Sequence, residues 1–268
     1  MKTINSTTLF LFLFCLLFAT DCKKPGESEH ICLEEIESGT IGDKLTWSLC
    51  EDGTLTISGT GGFGFLYNSP PWTRESITAV VIKDGVIIIG PSAFWECTGL
   101  TSVTIPNSVT HIGESAFWGC TGLTSVTIPN SVTSIGRSAF SGCNGLTSIT
   151  IPNSVISIGI QAFWGCTGLT SVTIPNSVAS IGINAFANCS GLTSLTIGSS
   201  VKSIGAVAFY TCTGLTEIIN KSAAPQEIDV RVFYNVNISS CTLRVPAASI
   251  DAYRTAPVWQ DFGTIVAI

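Results

Sequence analysis

One ten-residue phrase, LTSVTIPNSV, recurs without a change at residues 100–109, 123–132 and 169–178. Variants of it stand at 146–155 (LTSITIPNSV) and 192–201 (LTSLTIGSSV). Cysteines mark the same period at positions 97, 120, 143, 166, 189 and 212, each 23 residues after the one before. A fixed period of this length predicts a stack of equivalent coils, none of which buries its apolar face alone.

The first part of each unit predicts a short strand. In the copy that begins at Leu123, Val126 and Ile128 alternate with Ser125 and Thr127. Such alternation indicates a strand with one buried face and one face in water.

The second part of the unit predicts two changes of direction. The Pro129-Asn130 pair favours a turn with Pro at the first central position and Asn, at positive φ, at the second. Further on, Ala139 and Cys143 are four residues apart with Phe140 beside them. A single helical turn would point all three side chains inward.

The period and the L-x-x-L-x-L spacing are typical of leucine-rich-repeat solenoids. We therefore predict a repeat solenoid over residues 77–237, a right-handed β-rich coil with short helical turns and a 23-residue period. An open solenoid needs caps that differ from its middle. Alternation on both sides of Asp52-Gly53 predicts a β-hairpin within an N-terminal β cap, residues 39–76.

The C-terminal cap is predicted over residues 238–268. Cys241–Val245 has the pattern of a last strand, and Ser249–Arg254 that of a short helix. Trp259 and Phe262 are candidates to cover the final coil.

The periodic cysteines are expected to be reduced and buried. Equivalent side chains of stacked coils lie parallel and about 4.8 Å apart, whereas a disulfide needs closer and convergent Cβ atoms. No histidine or second cysteine accompanies them in the repeat, so we expect no metal. Cys32 and Cys50 are a different matter, because their spacing leaves open whether they pair.

The N-terminus predicts export. Lys2 precedes an unbroken apolar run, Leu9–Ala19, which is too short to span a bilayer and fits the core of a signal peptide. Residues 1–22 are therefore read as a lipoprotein-type signal, with Cys22 as the lipidated residue. Asp21 before that cysteine departs from the usual lipobox, so ordinary cleavage and free secretion stay open. Residues 23–38 are polar and predict a tether.

Composition argues against nucleic acid and catalysis. The net charge is −6, and the 12 basic residues form no cluster of the kind that phosphate binding needs. Residues 77–214 hold only six charged side chains, at positions 83, 84, 96, 114, 137 and 202. No nucleophile has a base beside it and no two carboxylates share a position, so we predict no catalytic residue, cofactor or metal site.

The repeats and their flanks together resemble the BspA-like, or Treponema-type, leucine-rich-repeat family of bacterial surface proteins. The matching segments are the I-G-x-x-A-F-x-x-C-x-G-L-T-S-V-T-I-P-N-S-V units from Ile89 to Val201, GTLTISGTG at 53–61 and VPAASIDAYRTAPVWQDFGTI at 245–265. The resemblance covers residues 39–268. It implies export and adhesion to host matrix or to other cells, and it transfers no ligand and no catalytic residue.

Two surfaces are candidates for binding. The strand face consists of the outward side chains Ser102, Thr104, Ser125, Thr127, Ser148, Thr150, Ser171 and Thr173. The aromatic line consists of the aromatic residues directly after Ala-Phe, namely Trp95, Trp118, Trp164 and Tyr210. Alternatively, the strand face only keeps the sheet soluble, and the aromatic rings only pack against their neighbours.

These observations favour an exported adhesin, anchored at the outer membrane or cell surface or else secreted, that binds a host matrix or cell-surface protein. Its only membrane contact would be the lipid anchor. The alternatives are a polysaccharide-binding module that uses the aromatic line and a passive surface spacer.

Overall fold

The computed structural model describes residues 32–64 and 70–268. Residues 33–268 form one compact unit, a β-solenoid of about nine coils with little helix. The predicted repeat solenoid is thus confirmed. The predicted signal peptide, including Cys22, lies outside the described residues. Among the residues described, no helix is long and apolar enough to cross a membrane.

Three strands open the solenoid as an antiparallel cap: β1 (Glu35–Ile41), β2 (Leu45–Cys50) and β3 (Thr54–Gly59). The hairpin predicted at Asp52-Gly53 joins β2 to β3, and Gly53 has a φ of +82°. The Asp52 carboxylate accepts a hydrogen bond from the Thr54 N–H at 3.0 Å. β1 was not predicted and begins inside the segment 23–38 that the sequence indicated as a tether, because its backbone pairs with β2.

Each coil then contributes a strand to one or both of two ladders of parallel strands. We call them the first and the second ladder, in the order in which the chain enters them. The second ladder consists of β4 (Gly61–Phe63), β6 (Val86–Ile89), β8 (His111–Ile112), β10 (Ser134–Ile135), β12 (Ser157–Ile158), β14 (Ser180–Ile181) and β16 (Ser203–Ile204). The first ladder, which continues from β3, consists of β5 (Ala79–Ile82), β7 (Ser102–Thr104), β9 (Ser125–Thr127), β11 (Ser148–Thr150), β13 (Ser171–Thr173), β15 (Ser194–Ile197), β17 (Glu217–Asn220), β18 (Thr242–Val245) and β19 (Thr264–Ala267). Pairing in the first ladder is interrupted between β7 and β9 and between β11 and β13.

The predicted helical turn is wrong, although its inward residues are right. Ala139, Phe140 and Cys143 are fully buried, but Ser138 and Gly142 have φ values of 52° and 74°, which no α-helix contains. The N–H groups of this segment alternate between two kinds of partner. Those of Ser138, Phe140 and Gly142 donate to the next coil, while those of Ala139 and Cys143 close tight turns within their own coil. Coil-to-coil bonding therefore replaces the helical ladder.

The turn after the first strand also differs from the prediction. The Pro129 carbonyl accepts a hydrogen bond from the Val132 N–H at 3.0 Å, so Asn130 and Ser131 are the central residues. Neither of them has a positive φ. The serine has its own task, because its hydroxyl donates to the Val109 carbonyl of the preceding coil. This bond recurs at the serines of the next two coils and ties neighbouring turns together.

A column of stacked phenylalanine rings runs through the core. Its members are Phe94, Phe117, Phe140, Phe163, Phe186, Phe209 and Phe233, and successive ring centroids are 5.1–5.6 Å apart. Trp72 stacks on the first ring at 5.9 Å. Trp259 and Phe262 meet the last ring edge-on at 5.7 and 5.5 Å, which confirms their predicted covering role. The phenylalanine column is therefore closed at both ends by aromatic side chains.

The C-terminal cap holds one more strand than predicted. β18 coincides with the predicted strand at Cys241–Val245, and helix α1 (Ile250–Thr255) with the predicted helix. The last strand is instead β19, which pairs in parallel with β18. Single 3-10 turns complete the structure at Arg74–Ser76, Ile238–Ser240, Ala247–Ser249 and Trp259–Asp261.

Candidate functional site

The strand face lies where the sequence placed it. All eight of its hydroxyl side chains are exposed, and between them Val126, Ile149 and Val172 are buried. None of the eight hydroxyls donates a hydrogen bond to another group in the described part of the chain. The neighbouring threonines behave differently: Thr170, for example, bonds the Thr147 carbonyl of the preceding coil. The strand face therefore offers hydroxyl groups that the fold itself does not use.

The strand face is not uniform along its length. Where pairing stops between β11 and β13, an open groove of about 510 Å³ forms. Four of the predicted residues line it, Ser148, Thr150, Ser171 and Thr173, and so do residues that the sequence analysis did not propose, among them Asn153, Asn176 and Lys221. The asparagines stand at the repeated P-N position, so the period itself could have found them. Lys221 follows the last regular repeat, where no period predicts its position.

The C-terminal end of the same sheet is charged. Glu217 on β17 pairs with Ser194 on β15 and so continues the column of serines. Arg244 on β18 lies in the column of Thr196, one strand beyond Ile219. The Arg244 Nε donates to Glu217 Oε1 at 2.7 Å. The neutral hydroxyl surface thus ends at the partly exposed ion pair of Glu217 and Arg244.

The aromatic line is partly exposed and uneven. Trp95 and Trp118 stack on each other at 5.5 Å, and the Arg74 guanidinium lies 4.8 Å from the Trp95 ring centroid. The indole of Trp164 stands between smaller residues and is 38% exposed. Tyr210 stacks at 5.7 Å on Tyr234, a member of the line that the sequence analysis missed.

Tyr234 was missed because the last coil breaks the period. It follows Phe233, which comes 24 rather than 23 residues after Phe209, and no cysteine follows at the usual spacing. Neighbouring aromatic residues pack together where they occur in adjacent coils, as one interpretation expected, and aromatic surface remains exposed at Trp164 and Tyr234. Binding by the line stays a prediction.

The six periodic cysteines are free and buried, as predicted. The sequence did not predict their bonding: the Cys143 thiol donates to the Phe117 carbonyl of the preceding coil at 3.2 Å. The same contact recurs at Cys120, Cys166, Cys189 and Cys212. Burial raises the pKa of Cys166 to about 12, so its thiol stays protonated at neutral pH and is a poor nucleophile.

Two cysteines outside the repeats are oxidised, unlike the six periodic ones. Cys32 and Cys50, whose pairing the sequence left open, are each disulfide-bonded. Over the described ranges 32–64 and 70–268, no three His, Cys, Asp or Glu side chains are placed to hold a metal ion.

Comparison with protein families places the chain. The model of the BspA type leucine rich repeat region matches residues 72–190 and 133–254, with six copies. The chain belongs to the BspA-type leucine-rich-repeat family. Among solved structures, it is similar to a leucine rich repeat protein of T. pallidum (TpLRR), with 31% identity and a TM-score of 0.53 over 67% of this chain and 80% of that one.

Two more likenesses to solved structures are weaker. A leucine-rich repeat protein of Eubacterium ventriosum is 20% identical, with a TM-score of 0.44 over 87% of this chain and 84% of that one. A leucine rich cell surface protein of Faecalibacterium prausnitzii is 22% identical, with a TM-score of 0.37 over 86% of this chain and 94% of that one. No curated protein matches the chain.

Proposed function

We propose that this BspA-type protein is an exported adhesin whose strand face binds a protein of the host matrix or of another cell. The observation that carries the proposal is the set of eight exposed hydroxyls that make no hydrogen bond within the described fold. Each strand that carries them pairs with at least one neighbouring strand. Their backbone is therefore fixed before binding, and little conformational entropy is lost when they bind a partner.

The groove between β11 and β13 gives this surface a centre. A protein interface is strongest where a few central side chains enter a recess from which water is excluded. The groove offers hydroxyls, two amides and one cation, Lys221, for hydrogen bonds to such a side chain. The uncharged surroundings suit a polar partner surface rather than a strongly charged one.

Export completes the proposal. The apolar run Leu9–Ala19 and Cys22 support secretion with a lipid anchor at the outer membrane or cell surface, and Cys22 would be the lipidated residue. A protein that holds another cell has to be attached to its own cell, and a lipid anchor would supply that attachment.

The test is binding to an array of purified extracellular matrix proteins, measured by biolayer interferometry. The variant Thr150→Trp/Thr173→Trp fills the groove and should weaken binding by about ten-fold or more. Thr133→Trp is the matched control, because Thr133 is also exposed but precedes β10 in the second ladder. The control should bind as the unchanged protein does.

Two results would count against this function. Equal binding by the groove variant and the control would remove the strand face as the site. If the unchanged protein binds no protein of the array, a passive spacer becomes the better description.

A further inference from the structure

Three rings in the middle of the aromatic line recur at twice the period of the coils that carry them. Trp118, Trp164 and Tyr210 are each two 23-residue repeats apart, and smaller residues, Ser141 and Ala187, occupy the coils between them. Neighbouring coils are separated by about the strand spacing of a sheet, so these three rings recur roughly every 10 Å. Adjacent phenylalanine rings in the core, 5.1 Å apart at the closest, give the same coil spacing directly.

The small residues between the rings are buried. Ser141 is 3% exposed and Ala187 is fully buried, although both belong to a column whose other members reach solvent. Neighbouring larger side chains therefore cover them, and no slot separates the rings. A ligand of this surface has to lie across successive rings instead of inserting a side chain between them.

The residues that border the central part of the aromatic line carry no charge. Gly119 and Gly165 directly follow Trp118 and Trp164 and place no side chain beside either indole. The residues that directly follow the periodic cysteines in these three coils are exposed and carry hydroxyl or amide groups: Thr121, Asn144 and Thr167.

Between Leu100 and Gly191 the sequence has two charged side chains, Glu114 and Arg137, and the coil of Tyr210 adds Lys202. Glu114 and Arg137 pair at 3.7 Å, and both side chains are well exposed. Long, neutral ligands rich in hydroxyl groups match such a surface, and a protein anchor that needs a pocket does not.

We propose that the aromatic line binds an extended, neutral, β-1,4-linked polysaccharide laid along the solenoid axis. In such a chain alternate sugars present the same face, and one disaccharide is about as long as the two coil spacings that separate the rings. One sugar would then pack its apolar face on the exposed indole of Trp164. The sugars two positions away on either side would contact the exposed parts of Trp118 and Tyr210, whose other surfaces are covered by Trp95 and Tyr234. Hydroxyls at the sugar edges would meet Thr121, Asn144 and Thr167.

This surface is separate from the strand face, since it follows the second strand of each coil rather than forming part of the first ladder. The two binding functions therefore do not depend on each other. Loss of one through substitution should leave the other unchanged.

The experiment is isothermal titration of the purified protein with cellohexaose, chitohexaose and maltohexaose. The first two are extended β-1,4-linked chains, and the third is an α-1,4-linked chain that curls away from a flat row of rings. We expect binding of at least one β-linked hexamer and none of maltohexaose at equal concentration. Trp164→Ala should weaken the binding by about ten-fold, whereas Trp164→Phe, which keeps a ring, should retain most of it.

Ile156→Ala is the matched control, because Ile156 is a 59% exposed apolar side chain outside the line. It should leave the affinity unchanged, and thermal melting of every variant verifies that the fold persists. The proposal is overturned by failure of both β-linked hexamers to bind, by equal binding of maltohexaose, or by binding that Trp164→Ala leaves intact.

Discussion

Removal of one ring from the phenylalanine column tests how the solenoid is held together. Phe163 is fully buried, with Phe140 at 5.5 Å on one side and Phe186 at 5.1 Å on the other. Its neighbours cannot move into the space of a lost ring, because backbone hydrogen bonds between coils fix their positions: the Phe163 N–H itself donates to the Ala185 carbonyl at 2.8 Å. Phe163→Ala should therefore leave a cavity and lower the free energy of unfolding by about 4 kcal/mol.

The assay is urea denaturation followed by far-ultraviolet circular dichroism, with thermal melting as a second measure. For a domain of this size, the loss corresponds to a decrease in Tm of about 8–16 °C. Ile156→Ala is the control in the same coil; its side chain is 59% exposed, so it should lose only about 1 kcal/mol. A loss below about 1.5 kcal/mol for Phe163→Ala would refute the reasoning, since it would mean that neighbouring coils close the gap.

Two more predictions concern stability. Gly159→Ala would place a Cβ 2.6 Å from the Gly136 carbonyl carbon, so we expect the free energy of unfolding, measured by urea denaturation, to fall by more than about 2 kcal/mol. Gly165→Ala is the control: its Cβ meets no neighbour within 4 Å, and only its φ of +70° causes strain, so the loss should be about half as large. Burial raises the pKa of Cys97 and Cys166 from 9.0 to about 12; thiols therefore ionise in the unfolded chain before they do so in the fold, and stability that is complete below pH 9 should fall between pH 9 and 12. Each thiol contributes at most about 1.4 kcal/mol per pH unit to that slope, so Cys166→Ala should make the slope shallower. If the unfolding free energy of Cys166→Ala fell with pH as steeply as that of the unchanged protein, the raised pKa of Cys166 would be contradicted.

The repeat made most of the fold predictable. Val126, Phe140 and Cys143 could be assigned to the core from the sequence, because identical residues at a fixed period must occupy equivalent places in a stack. The conformation of the turn could not be predicted in this way. Ala139 and Cys143 are four residues apart, which favours a helix locally, yet the N–H of Phe140 finds its acceptor on Ala162 in the next coil. A local pattern does not contain that distant partner.

The binding surfaces were predictable only as columns. Sequence alone places Ser148 and Thr173 on one exposed face, but the groove between them depends on where strand pairing stops, and the repeats before and after that point are nearly identical. In the aromatic line, the period identified Trp118 and Trp164, whereas Tyr234 lies in the coil whose length departs from that period.

The junctions between coils are interchangeable, because the phenylalanine column repeats the same contact from ring to ring. A chain without residues 123–145 would join Gly122 to Leu146, and Leu146 stands in the same place of its unit as Leu123 does. Such a chain would lose one ring from the phenylalanine column and keep Trp72 and Trp259 at its ends. Duplication or loss of whole units can therefore change the length of the solenoid, and with it the reach of both surfaces, in steps of one coil without a new core, and only the two caps fix where the count begins and ends.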